Sequence, residues 1–284
     1  MNNSLSRRQT TANVLSYVGL VALALFFLFP LIFMFVSAAK GDEAQVLKDM
    51  SSTKAFIPYG SIGVTNFLDV FKRVPFGLAF FNSCLIVASI VALNLLINSM
   101  FAYALARIRF PGRNLLLTVV ISLIIIPFEA VAIPLLLLVN RFGWLDSYHV
   151  QIIPFAASAF SIYLFYQFFI SLPKELEEAA FVDGANRWRI YWQVVVPLSG
   201  PVFATVTVLQ FLAMWGNLLW PVLVVRGERF STLPYQMQTF FGQPPQQWGD
   251  IMAYATMATL PTLIIFLVFQ RAFVRSVVGS GVKG

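Results

Sequence analysis

The chain has 284 residues, of which 59% are apolar and only 11% charged, too apolar a balance for one soluble core to hide, so lipid forms part of its solvent. Its formal charge of +7 comes from basic residues scattered between apolar runs rather than gathered in a patch. That pattern argues against a nucleic-acid surface and marks them as topology signals. Cys84 is the only cysteine and His149 the only histidine, which excludes an internal disulfide and a Cys/His metal cluster. A phosphate-binding Gly-x-x-x-x-Gly-Lys-Ser/Thr loop is also missing, since Gly279-Ser280-Gly281-Val282-Lys283-Gly284 has the wrong spacing. If ATP drives this protein, another chain binds it.

About 20 mostly apolar residues in a helix cross the hydrocarbon core of a bilayer. Six runs meet that length: Tyr17 to Val36, Leu78 to Ala102, Leu115 to Val139, Val150 to Ile170, Val202 to Val225 and Ile251 to Phe269. The expected fold is all-α, a polytopic helical bundle. Arg7 and Arg8 precede the first run, and Ser37, Ala38 and Ala39 close it, as in a cleaved signal peptide. The run exceeds the roughly 7–15 residues of a signal core, so it reads as a retained anchor. Residues 37–77 form a long first loop in which charge mixes with Phe56-Ile57-Pro58-Tyr59-Gly60, which predicts a partly folded outer segment. Pro127, Glu129 and Pro134 interrupt the third run, a break tolerated only against protein or a water-filled cavity.

Cytoplasmic loops retain Lys and Arg. One side of the six-span arrangement holds Arg7, Arg8, Arg107, Arg109, Arg113, Lys174, Arg187, Arg189, Arg271, Arg275 and Lys283, eleven of the nineteen. The other holds eight, five of them in the long first loop, where charge counts for less. Both termini are therefore expected in the cytoplasm. The expected organisation is a tail at 1–16, a membrane domain at 17–275 and a tail at 276–284, with extracytoplasmic residues 37–77 and a cytoplasmic loop at 171–197.

That second loop reads as two short helices. Ser171 is a candidate cap and Pro173 a first-turn residue for the first, with Glu175, Glu177 and Glu178 near its amino end complementing the dipole. Gly184 marks a turn that needs positive φ. Asp183 is a candidate cap for the second helix, which carries Trp188, Ile190, Tyr191 and Trp192 before Pro197 ends it. Neither helix can span a membrane, so the aromatic load must meet the chain's own helices, the lipid interface or another protein.

The sequence Glu178-Ala179-Ala180, then Asp183-Gly184-Ala185, then Pro197-Leu198 and Pro201 resembles the "EAA" loop of binding-protein-dependent ABC importer permeases. The likeness runs from about Asn82 to the end of the chain. Asn82-Ser83, Ala102-Tyr103-Ala104-Leu105-Ala106-Arg107, Phe110-Pro111-Gly112-Arg113 and the terminal Gly281-Val282-Lys283-Gly284 resemble the maltose-permease G-type carbohydrate branch. The resemblance implies that Glu178, Ala179, Ala180, Asp183, Gly184 and Ala185 couple the chain to ATPase subunits. It further implies a multi-pass protein of the bacterial inner membrane, working as a heterodimer with a second permease, two ATPase subunits that carry ATP and Mg, and an extracytoplasmic solute-binding protein. No cofactor is expected in this chain. Trp215-Gly216-Asn217 departs from the Trp-Asn of that branch.

Four intramembrane residues are candidates for the solute pathway. Glu129 is ionisable within an apolar run and reads either as a pathway residue or as a hydrogen-bonded packing residue beside the broken helix. Trp215, Asn217 and Trp220 suit stacking on and hydrogen bonding to a sugar, or plain packing. A secondary transporter would show matching interrupted segments in two halves, and none is found. A membrane enzyme would need clustered acids, bases or ligands, also not found. A sugar, a polyol glycoside and glycerol phosphate all remain open as solutes.

Overall fold

The computed structural model describes the backbone of residues 2–281 and the side chains of 13–270. Arg7, Arg8, Arg271, Arg275 and Lys283 of the charge count lie outside the described side chains, as do the tail at 276–284 and most of that at 1–16. In chain order the helices are α1 (Asn2–Ala39), α2 (Glu43–Asp49), α3 (Thr65–Arg73), α4 (Phe76–Arg107), α5 (Arg113–Ile124), α6 (Phe128–Arg141), α7 (Tyr148–Ile152) and α8 (Ala159–Ser171). They continue as α9 (Glu175–Val182), α10 (Arg187–Ile190), α11 (Val196–Leu198), α12 (Gly200–Trp215), α13 (Leu219–Val224), α14 (Leu233–Phe241) and α15 (Trp248–Gly281). The chain forms two compact units, one of the residues up to Pro75 with Met237–Leu260 and one of Phe76–Gln236 with the residues from Pro261 on.

Among the described residues, four helical stretches are long and apolar enough to cross a membrane: Asn13–Ala39, Phe76–Arg107, Tyr148–Ser171 and Trp248–Gln270. Two further spans arise if each of two bent pairs is one crossing. The third expected run is such a pair, since α5 and α6 meet at 104°. Pro127 explains the break. It has no N–H to donate back to Leu123, and a proline disfavours the helical region at the residue before it, here Ile126.

The fifth expected run, Val202 to Val225, is not one helix. It stops at Trp215, and α13 restarts at Leu219. Pro221 removes the amide that would have bonded the Asn217 carbonyl, and Gly216 has the lowest helix propensity after proline, so continuity fails at this point. The structure joins α12 to the preceding segment instead, at a bend of 77° between Arg187–Leu198 and Gly200–Trp215.

In the first unit, the loop expected to be partly folded contains α2, α3 and a 3₁₀ turn at Thr53–Phe56. A buried ion pair organises it. Lys40 Nζ lies 2.7 Å from Asp49 Oδ2 and donates to Lys54 O at 2.8 Å. Its ammonium also sits 4.9 Å above the Tyr59 ring, whose hydroxyl donates to the second oxygen of Asp49. Those two hydrogen bonds, from Lys40 first and then Tyr59, hold the Asp49 carboxyl below its ordinary pKa. The Tyr59 hydroxyl is raised by its bond to that carboxylate.

The same unit fixes the start of α15. Glu43 accepts from the amides of Trp248 at 2.7 Å and Gly249 at 3.0 Å, placing a carboxylate on the positive end of that helix dipole. Gly249 is required there, because a Cβ would stand 2.5 Å from Asn66 Nδ2. Asn66 Nδ2 in turn donates to Ala38 O and Lys40 O, at 2.9 and 2.7 Å. Arg73 pairs with Asp250 at 2.8 Å in the first turn of α15.

In the second unit, α4 turns Asn82, Ser83, Ile86, Val87, Ile90, Asn94, Asn98 and Ser99 inward, a three-to-four-residue spacing that lines one helix face. Small and polar residues on the buried face suit a bundle in lipid, where packing and interhelical hydrogen bonds replace hydrophobic drive. Asn82 Nδ2 donates to Arg229 O at 3.0 Å and Ser231 O at 2.9 Å, and its Oδ1 accepts from Tyr148 Oη at 2.7 Å. Ser83 Oγ accepts from the Leu233 amide at 2.8 Å. The Asn82-Ser83 pair therefore pins residues 229–233 to α4.

Candidate coupling loop and solute pathway

Between α8 and α12 the chain makes α9, a turn, α10, a π-helical turn at Tyr191–Val195 and α11. Gly184 occupies the turn at φ +80°, with open space where a Cβ would stand. The expected glycine turn is therefore present, and its requirement is backbone conformation rather than room.

Four expectations about this loop, for Ser171, Pro173, Asp183 and Pro197, are corrected. Ser171 ends α8, with its hydroxyl donating to Phe168 O, and does not cap α9. Lys174 stands at that cap position without a side-chain bond, and Pro173 precedes the helix. Asp183 closes α9 rather than opening α10, and Asn186 is the cap, its Oδ1 accepting from the Arg189 amide at 2.9 Å. Both side chains are good caps, so the deciding factor is where the chain leaves the left-handed turn: two residues beyond Gly184. Pro197 does not end the second helix either. Its missing amide shifts the pairing upstream, the Val196 amide bonds Tyr191 O, and the helix runs on to Leu198.

The loop is bound to the bundle by a residue outside the expected set. Glu177 is the buried carboxylate of α9, with Oε1 2.8 Å from Arg107 Nε and Oε2 accepting from Tyr103 Oη at 3.3 Å. Arg107 Nη2 also donates to Phe169 O and Leu172 O, both at 2.6 Å, satisfying carbonyls at the end of α8. One guanidinium thus ties α4, α8 and α9 together. The sequence signal was Arg107 ending an apolar run, a place where a cation needs a partner unless it reaches water.

Ala180 and Ala185 pack against the core formed by Tyr103, Phe165, Phe169, Ile190 and Tyr191. Glu178, Ala179, Asp183 and Gly184 are exposed. So are the apolar side chains of Leu176, Phe181, Trp188 and Trp192, and Val182 is 89% accessible. The aromatic load is therefore divided: Tyr191 and Ile190 face inward, and the tip of the loop is left apolar and uncovered.

Trp215, Asn217 and Trp220 come together around a small cavity of about 20 Å³ that Ser83, Gln151 and Thr232 also line, room for about one water. Trp220 is 1% accessible, its indole N–H donates to Val150 O at 2.8 Å, and Phe128 and Phe155 pack edge-on against it. Trp215 stacks on Phe211 and meets the edge of Phe80. Asn217 Oδ1 accepts from the Trp220 amide at 3.3 Å. Glu129 does not line this cavity. It sits exposed in the first turn of α6, where the helix dipole favours a carboxylate.

Apolar spans, two of them bent, and a short helical loop with an exposed apolar tip define a multi-pass membrane transport component. The comparisons name its family. The model of the binding-protein-dependent transport system inner membrane component matches residues 98–279, and the chain belongs to that family. It is 31% identical over 281 residues to the arabinooligosaccharides transport system permease protein AraQ of Halalkalibacterium halodurans, covering 98% of this chain and 100% of that protein. It is 30% identical over 273 residues to the lactose transport system permease protein LacG of Rhizobium radiobacter, covering 96% and 97%. With the sn-glycerol-3-phosphate transport system permease protein UgpE of Yersinia enterocolitica it shares 32% over 276 residues, covering 94% and 96%. A chain from the crystal structure of a bacterial ABC transporter involved in the import of the acidic polysaccharide alginate superposes with a TM-score of 0.80 at 25% identity, covering 91% and 95%. The chain is a permease subunit of an ABC importer, as the EAA-type loop implied.

Proposed function

We propose that this permease forms half of the translocation pathway for a sugar or sugar-like solute, delivered by an extracytoplasmic binding protein. Its partner is a second, related permease. Two ATPase subunits dock on the α9-turn-α10 loop and supply the hydrolysis that this chain does not perform. The observation that carries this reading is the loop itself: Glu178, Ala179, Asp183 and Gly184 are solvent-facing on a helix pair whose base is locked by Arg107 and Glu177. A rigid lever with an uncovered apolar tip suits a protein partner. Both termini and this loop face the cytoplasm in this reading, and residues 37–77 face outward.

Relatives named for arabinooligosaccharides, lactose and glycerol 3-phosphate support a hydroxylated solute of modest size, with glycerol 3-phosphate or another non-sugar as the second reading. In the pathway, Trp215 and Asn217 are the proposed solute contacts, and Trp220 supports them through its bond to Val150 O and two phenylalanines packed on its ring. Glu129 acts at the bend of the broken α5–α6 span. Affinity purification of the chain from its native membrane, followed by ATPase assays with and without the loaded binding protein, tests the proposal. Recovery without ATPase chains, or hydrolysis indifferent to the binding protein, overturns it.

A further inference from the structure

Beside the Arg107–Glu177 pair the second unit holds a polar cavity of about 390 Å³, lined by Arg107, Arg109, Arg113, Lys174 and Arg187 against Glu177 and Glu178. Five cations face two carboxylates, and one of those carboxylates is taken by Arg107. Arg109, Arg113 and Lys174 have no ion-pair partner among the described residues, and Arg113 Nε is buried without a hydrogen-bond acceptor. Arg187 is held over the Phe181 ring, 5.1 Å from its centroid, which orients its guanidinium without neutralising it.

The cavity also sits at one level of the fold. Arg107 is the last residue of one span, Arg113 the first of the bent pair, and Ile170, another lining residue, is next to the end of a third. The ends of membrane spans lie at the depth of lipid headgroups. A cluster of cations without partners at that depth matches a phosphate ester, and guanidinium forks bind phosphate oxygens in pairs.

We infer that this cavity is a phosphate-binding site, occupied by the headgroup of an anionic phospholipid. Glu178 and Phe181 also line it, so it adjoins the surface assigned to ATPase docking, while Val182, Asp183 and Trp188 at the tip stay outside it. The bound phosphate adds a contact between α4, α5 and α9 and holds the base of the loop against the bundle. The inference rests on the membrane spans and not on the solute or the direction of transport.

The test uses the full chain as purified, with whatever subunits accompany it, in mixed micelles containing phosphatidylglycerol or phosphatidylcholine. Native mass spectrometry reads the lipid retained. Wild type is expected to prefer phosphatidylglycerol by about tenfold, Arg109→Gln/Arg113→Gln to lose that preference, and Arg109→Lys/Arg113→Lys to keep most of it. Retention that millimolar inorganic phosphate leaves unchanged supports the lipid as the source. Displacement by inorganic phosphate at that level overturns the lipid and leaves a free-phosphate site. Equal retention of the two lipids by wild type, or an unchanged preference in the glutamine variant at normal thermal stability, overturns the site. Loss of ATPase chains from that variant with lipid preference intact overturns it as well, by showing that the cations serve the protein partner.

Discussion

Arg107, the last residue of α4, and Glu177, in the first half of α9, are 70 positions apart in sequence and 2.8 Å apart in space. Both side chains are withdrawn from solvent, so neither can be removed alone without stranding the other. A double-mutant cycle measures the coupling: Arg107→Met and Glu177→Leu singly should each destabilise by about 3–5 kcal/mol, and the double variant by less than either. Thermal unfolding of the purified permease in detergent is the readout. Additive losses would show that the pair is not coupled.

Gly184→Val should fold, because open space surrounds the site, yet cost about 1–2 kcal/mol in local backbone energy and re-aim α10. Gly184→Asn should be tolerated better, since asparagine visits the left-handed region more readily. Glu178→Lys leaves the fold alone and reverses an exposed charge. Binding-protein-stimulated hydrolysis in reconstituted vesicles should fall at least tenfold for Gly184→Val and Glu178→Lys at normal expression. Wild-type stimulation in both would reduce the loop to a packed surface element.

Reporter fusions at Gly112 and at the carboxyl end should give cytoplasmic signals, and a fusion within residues 58–64 an extracytoplasmic one. An extracytoplasmic signal at Gly112 would reverse the proposed orientation.

The Lys40–Asp49–Tyr59 cluster makes the loop at residues 37–77 sensitive to pH from both sides. The Asp49 carboxyl titrates lower in the folded state, so its stabilisation is complete above the unfolded value of about 4 and is lost as pH falls through the folded one. The Tyr59 hydroxyl titrates higher when folded, so its contribution is present below about pH 10 and is lost as pH rises beyond that. Limited proteolysis of the loop against pH should show protection between these limits. Asp49→Asn should remove the acid-dependent part, and an unchanged acid profile would assign it to other carboxylates.

Much of the fold was legible because lipid leaves few options. Apolar length alone located the spans Asn13–Ala39, Phe76–Arg107, Tyr148–Ser171 and Trp248–Gln270 to within about five residues at each end, and Gly184 announced its turn through the one conformation that other residues avoid. What escaped was local competition. Asp183 and Asn186 are both good caps three residues apart, and only the geometry after Gly184 chooses between them. Glu177 and Glu178 are adjacent carboxylates whose difference, one buried on Arg107 and one exposed, depends on the rotation of α9 against α4. Gly216 and Pro221 break the fifth run after Trp215, yet both lie inside an apolar stretch that composition alone reads as continuous.

The hydrogen bonds from Trp248 and Gly249 to Glu43 carry a consequence for biosynthesis. Glu43 emerges from the ribosome about 200 residues before the amides it accepts, and Arg73 likewise precedes Asp250. During synthesis the loop at residues 37–77 therefore waits with an unmatched carboxylate and an unmatched guanidinium until α15 arrives. A product truncated before α15 leaves both Glu43 and Arg73 without these partners.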